Sequence, residues 1–182
     1  MTPLHEIMQS APSSYTEVEI QDFVAMVRAG GEVGSTRLEQ NVRSAQALLT
    51  ARKGDCLVAV AALKTPALSY RKNIQTSSRI TLDQVAFPFE LGYVFVLPSA
   101  RGQGLATKLC EMALEDRASV GIFATTRVTN APMANILQKV GFENQRSLRK
   151  QWHVCGNDVG GVKGGHGYWH PAFNIQSERT LA

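Results

Sequence analysis

Cysteine is scarce in this sequence: the three present, Cys56, Cys110 and Cys155, are an odd number and include no Cys-x-x-Cys pair. In a chain whose apolar content can supply a core, that argues against a disulfide framework and for free thiols in a reducing compartment. Long apolar runs are missing too. None approaches the roughly 20 residues that span a bilayer, and residues 1–15 lack the cationic start and apolar stretch of a secretory leader. No membrane association is expected, and the cytoplasm is the expected location. Lys and Arg never run to five in a row, so the formal net charge of +4 suits an anionic ligand without indicating a nucleic-acid partner.

What is present is a globular composition, 44% hydrophobic and 19% charged over 182 residues, which fills one core and is short for two ordinary domains. One domain over 1–182 is expected. Its start, 1–15, reads as loose. Its end, 150–182, reads as atypical, since 156–167 holds six glycines and cannot form regular structure.

Thr16 and Glu19 have the spacing of a capping box, and Val18, Phe23, Met26 and Val27 follow near one helical face until Gly30-Gly31. A second helix is predicted after Ser35-Thr36, through Leu38, Val42 and Ala45, before an extended stretch near 47–52. Gly54-Asp55 marks a turn, and the apolar run 56–63 reads as a buried strand paired with the one before it. Residues 64–87 form a long connection with room for a short helix. The run from Glu90 to Val96, rich in β-branched and aromatic residues and stopped by Pro98, is the clearest strand. A glycine loop follows, then a helix with Leu105, Leu109, Met112 and Ala113 on one side. A strand over 120–126 leads to a helix over 130–140, with Gly141 in its C′ position and Phe142 opening another strand. The alternation implies an α/β sheet with parallel pairs in its second half.

A strand that ends in a glycine loop and hands over to a helix gathers open backbone N–H groups and the positive end of the helix dipole, which together attract phosphate. Gly102 and Gly104 let the backbone approach a ligand, the small Ala106 keeps the first turn accessible, and Arg101 adds charge. The pattern alone also suits a plain tight turn. Two nucleotide sites are excluded: no Gly-Lys-Ser/Thr ends a phosphate loop, and a dinucleotide fingerprint needs a third glycine where Thr107 stands.

The stretch Arg101-Gly102-Gln103-Gly104-Leu105-Ala106 resembles the signature loop of the GNAT superfamily of acetyltransferases, Arg/Gln-x-x-Gly-x-Gly/Ala. The resemblance extends to Val96-Leu97-Pro98-Ser99-Ala100 before the loop and to Asn130 with Gly141-Phe142 eleven positions on. It covers about 54–142 and fades at the C-terminus. It implies a mixed central sheet flanked by helices and splayed beside the strand ending in Val96. It further implies acetyl-CoA as cosubstrate; no metal is expected, because no Cys-x-x-Cys pair anchors the C-terminal histidines. Phe95 and Val96 would hold the pantetheine arm, Arg101, Gly102, Gln103, Gly104, Leu105 and Ala106 the pyrophosphate, and Asn130 would lie near the acetyl end.

Attack on a thioester needs a base for the amine and an acid for the departing thiolate. Glu90, at the start of the cofactor strand where some members of the family carry a glutamate base, is the candidate base. A strand-initial glutamate facing water reads equally well. Strand alternation puts Glu90 with Gly92, Val94 and Val96 beside an apolar surface, and Tyr93 on the opposite face. The family's usual acid is a tyrosine four residues before Gly-Phe, but Leu137 stands there. Tyr93, Tyr70, Tyr168 or solvent are the substitutes. Cys110, at helical spacing with Leu109 and Ala113, reads as core, so transfer is expected to be direct. His153, Cys155, His166 and His170 could in principle close a zinc site, yet a glycine-rich flap is the preferred reading. The expected partners are acetyl-CoA and an amine-bearing acceptor; a homodimer is the commonest state for such chains.

Overall fold

The computed structural model describes residues 5–31, 36–78, 80–115, 117, 120–127, 129–145 and 152–156. Seven strands form one sheet in the order β1-β2-β3-β4-β5-β7-β6, where β1 is Glu6–Ser10, β2 Ala47–Lys53, β3 Cys56–Lys64, β4 Phe89–Val96, β5 Ile122–Arg127, β6 Glu143–Gln145 and β7 Trp152–Gly156. The helices are α1 (Glu17–Ala29), α2 (Leu38–Arg43), α3 (Leu68–Ser78), α4 (Leu105–Leu114) and α5 (Ala131–Lys139).

Two expectations change. Residues 1–15 do not read as strand, yet Glu6–Ser10 pairs antiparallel with β2; an edge strand whose sequence does not alternate between apolar and polar leaves no period-two signal. The second half of the sheet has one parallel pair, β4 with β5, whereas β5, β7 and β6 run antiparallel.

The core lies on both faces of the sheet. Helix α1 starts at the capping box read from the sequence: Thr16 N–H donates to Glu19 Oε2 at 2.8 Å and Glu19 N–H to Thr16 Oγ1 at 3.3 Å. It buries Ile20, Phe23, Val24 and Val27 against Leu48, Val60 and Ala62. Val18 is 70% exposed, because the buried stripe follows Ile20 at steps of three and four and Val18 lies far round the helix. On the other face, Leu105, Leu109, Cys110 and Ala113 of α4 and Leu137 of α5 pack on Leu49, Ala61, Leu63 and Leu91. Helix α5 closes as its Gly141 predicts: Phe142 N–H reaches Leu137 O at 2.9 Å and Gly141 N–H reaches Gln138 O at 3.1 Å, with Gly141 at φ +89°.

Candidate active site

Pairing between β4 and β5 runs from Phe89↔Ile122 to Leu91↔Ala124 and stops there. Beyond Leu91 the two strands diverge, which leaves one edge of β4 open toward a cleft of about 1150 Å³ lined by both strands, the glycine loop and the start of α5. On its other edge β4 stays paired with β3 as far as Val96.

The loop after β4 leads directly to helix α4. Gly102 and Gly104 stand at φ +76° and +75°, and a Cβ on either would meet nothing within 4 Å. They are therefore glycines for backbone reasons, with open space in front of them. Gly104 caps α4, and among the described residues no side chain accepts from its first turn. The first helical bond is Lys108 N–H to Gly104 O at 3.0 Å, so the N–H groups of Leu105, Ala106 and Thr107 have no partner within the helix. Arg101 is tied back to the strand end, its Nε donating to Val96 O at 3.2 Å. Phe95, Val96, Arg101, Gly102, Gly104, Leu105, Ala106 and Asn130 all line the cleft, whereas Gln103 is exposed outside it. Asn130 also caps α5, its Oδ1 accepting from Met133 N–H at 3.2 Å.

Glu90 lies at the point of divergence and is 1% exposed. It is not beside an apolar surface, as strand alternation implies, but ringed by donors. Tyr70 Oη and Thr125 Oγ1 both donate to its Oε1 at 3.0 Å, and Lys64 Nζ is 2.8 Å from Oε2. Lys64 is opposite Glu90 in the β3–β4 register.

Tyr93 requires a second correction. Strand β4 bulges between its pairings with Val60 and Ala62: Phe95 lies opposite Val60 and Gly92 opposite Ala62, so two residues of β4 face one of β3. Tyr93 takes φ +56°, the one positive φ of a non-glycine among the described residues. The extra residue reverses the alternation, so Tyr93 and Phe95 pack with Val60 and Ala62 while Val94 and Val96 pack on the α4 face. Tyr93 thus shares the face of Glu90, and Lys64 Nζ lies 4.7 Å from its ring centroid and 5.6 Å from that of Tyr70.

Burial raises the Tyr70 hydroxyl pKa, and the neighbouring Glu90 carboxylate adds to the rise. Burial also raises that of Tyr93, against the lowering effect of the Lys64 ammonium and of a hydrogen bond with Asn41 of α2. Both phenols are held in the protonated form. Leu137 is fully buried against α4 and offers no proton. Cys110 is likewise buried, and its thiol is pushed up to about 12, which keeps it from serving as a nucleophile. The sequence reading missed Lys64, which it placed in the 64–87 connection, and Thr125; Lys64 meets Glu90 only through the β3–β4 pairing.

Tyr168, His166 and His170 lie outside the described residues, as do the side chains of His153 and Cys155. Among the described residues, no group of three or more His, Cys, Asp or Glu could hold a metal ion, and no helix is long and apolar enough to cross a membrane.

The mixed sheet thus splays at the strand that precedes an uncapped helix N-terminus. A sequence model of the Acetyltransferase (GNAT) family matches residues 29–142, and the chain belongs to that family. Solved structures agree in fold. Escherichia coli ElaA is 14% identical, with 84% of this chain and 99% of that one covered and a TM-score of 0.60. An acyl-CoA N-acyltransferase from Pseudomonas aeruginosa is 16% identical, with 84% and 99% covered and a TM-score of 0.61. N-acetylglutamate synthase from Neisseria gonorrhoeae, solved with coenzyme A and L-arginine, is 16% identical, with 85% of this chain and 33% of that one covered and a TM-score of 0.54. No curated protein sequence matches the chain.

Proposed function

We propose that the protein is an acetyl-CoA-dependent N-acetyltransferase that passes the acetyl group directly to a primary amine. One observation carries the reading: the β4 edge freed beyond Leu91 leads without interruption to the uncapped start of α4, and the same cleft reaches Glu90 and Tyr93. A ligand with a peptide-like arm and a diphosphate fits that path. The open β4 edge at Phe95 and Val96 suits the arm, and the N–H groups of 102–106 with Arg101 suit the diphosphate. Asn130 stands by resemblance near the acetyl end.

Acetyl-CoA supplies an acyl group already activated as a thioester. The chain must take a proton from the acceptor ammonium and return one to the departing sulfur. Glu90 is the acceptor of the first proton, reached through the hydroxyls of Tyr70 and Thr125 that donate to its Oε1. Tyr93, protonated and on the same face, is the donor of the second, in place of the tyrosine for which Leu137 stands. The odd cysteine count is the ground for a cytoplasmic location. A homodimer is the assembly to look for.

A rival reading, a coenzyme A-binding module without turnover, draws on Leu137. Calorimetric titration with acetyl-CoA, beside an Arg101→Ala, Gly104→Glu double variant, tests the site first; binding lost in the variant supports it, and no binding to the native chain overturns both readings. A broad amine panel then separates enzyme from module. A binding constant for nucleic acid that does not fall steeply with added salt would remove that partner.

A further inference from the structure

We infer that Lys64 is the positioning residue of this site: it sets one ammonium both against the Glu90 carboxylate and over the Tyr93 ring on the same face of β4, an inference that rests on the reading above. A carboxylate removed from water is costly unless its charge is matched. The hydroxyls of Tyr70 and Thr125 supply hydrogen bonds to Oε1, and among the described residues Lys64 alone forms an ion pair with the carboxylate, at 2.8 Å from Oε2. The groups that act on Glu90 are Lys64 from β3, Tyr70 and Arg71 from α3 and Tyr93 from β4 itself. Arg71 is buried and acts through space, because its Nη2 donates to Pro88 O at 2.7 Å and its guanidinium stacks 5.3 Å from the Phe123 centroid.

The sequence provides the path Lys64 takes. A Cβ built on Gly92 would lie 2.7 Å from Lys64 Cε and 3.0 Å from its Nζ, so the lysine stem lies over the bare backbone of Gly92 to reach Glu90. The same ammonium sits over the Tyr93 ring, which connects the candidate base to the candidate acid through one side chain. Gly92 has no positive φ, so alanine is permitted there by the backbone, and the flexible end of Lys64 is what must move.

Two variants perturb this arrangement independently. Lys64→Met removes the charge; Gly92→Ala keeps the charge and displaces it. Both are expected to lower kcat on the order of 10-fold or more while leaving the KM for acetyl-CoA near the native value, and to move the acid limb of the pH profile upward, because a buried carboxylate without its cation takes up a proton more readily. Lys64→Arg should restore most of the rate. A second readout needs no turnover. The melting temperature of Lys64→Met should fall below the native value most at alkaline pH, and the gap should narrow as pH drops from about 9 to about 5, since a buried carboxylate without its cation costs stability when ionised and not when protonated. A pH-independent gap, or an equal fall in kcat at every pH, would make Lys64 merely structural and overturn the inference. If the native protein acetylates no amine, the proposed function falls, and the melting series still decides the role of Lys64.

Discussion

Tyr93 stands on the same face of β4 as Glu90, three positions along, because the bulge at φ +56° inserts one residue between them. A non-glycine in the left-handed region is strained, and such strain persists where the surrounding structure holds it. Here Asn41 bonds the phenol and Lys64 covers the ring. If Tyr93 protonates the departing thiolate, Tyr93→Phe should lower kcat by about 100-fold, within the range for loss of a general acid, and leave acetyl-CoA affinity unchanged. Tyr70→Phe removes a donor to Glu90 instead and should shift the acid limb of the profile. Stopped-flow rates and a pH series on both variants check this; a Tyr93→Phe enzyme of native kcat would transfer the acid role to solvent.

The glycine loop makes a separable prediction. Gly104 holds φ +75° with open space in front of it, so a methyl group there meets only conformational cost, about 1–2 kcal/mol for a residue held in the left-handed region. Gly104→Ala should therefore lower the melting temperature by about 2–8 °C for a chain of this size. Because Gly104 lines the same cleft as Leu105, Ala106 and Thr107 at the start of α4, acetyl-CoA affinity should fall by more than the stability loss explains. Calorimetry on the folded variant measures that difference, and unaltered affinity would move the diphosphate away from the loop.

Much of this site is written locally. The loop from Arg101 to Ala106, the strand before it and the Asn130 to Gly141 spacing each sit within one short stretch, and so they were legible from residue order. The capping box of α1 was legible for the same reason. The bulge was not, because it arises from the register of β4 against β3, and no residue from Glu90 to Val96 announces it. Lys64 escaped notice for a related reason: its partner is 26 positions away in the chain and is brought opposite only by the β3–β4 pairing. The edge strand Glu6–Ser10 lacks alternation, so only its partner β2 defines it.

Cys110 should be inert in the native state. It is fully buried on α4 and its thiol pKa is raised to about 12 by burial first and the neighbouring Glu111 carboxylate second. The sign follows: a group whose folded pKa lies above its unfolded value adds stability below the unfolded pKa, and that stability is lost as pH rises through the interval from the ordinary thiol value of 9.0 to about 12. Iodoacetamide at neutral pH should therefore modify exposed Cys56 and spare Cys110 until denaturant is added. Peptide mass mapping reads both sites. Rapid native labelling of Cys110 would show that α4 opens readily, and the cofactor loop it anchors would open with it.

Gly121 and Gly54 separate two reasons for glycine, and the contrast tests how the base of the site is held. A Cβ on Gly121 would lie 1.9 Å from Ala86 O and 2.9 Å from Phe87 Cδ1, so backbone must move to admit it. That backbone leads into β4 through Pro88, whose carbonyl is held by buried Arg71, and Ile122 next to Gly121 pairs with Phe89, one residue before Glu90. Gly54, at φ +57° in the β2–β3 turn, has nothing within 4 Å of its Cβ position. Gly54→Ala should cost about 1 kcal/mol, and Gly54→Asn less, since asparagine tolerates the left-handed region. Gly121→Ala should cost about 3 kcal/mol or more as overpacking against backbone, and no larger residue should recover it. Activity should divide in the same way. Gly54 variants that fold should keep native kcat, whereas Gly121→Ala should lose turnover even below its melting temperature, because the segment it displaces sets where Glu90 meets Lys64 and Tyr70. Equal rates for the two folded variants would mean that the start of β4 is positioned by β3 alone.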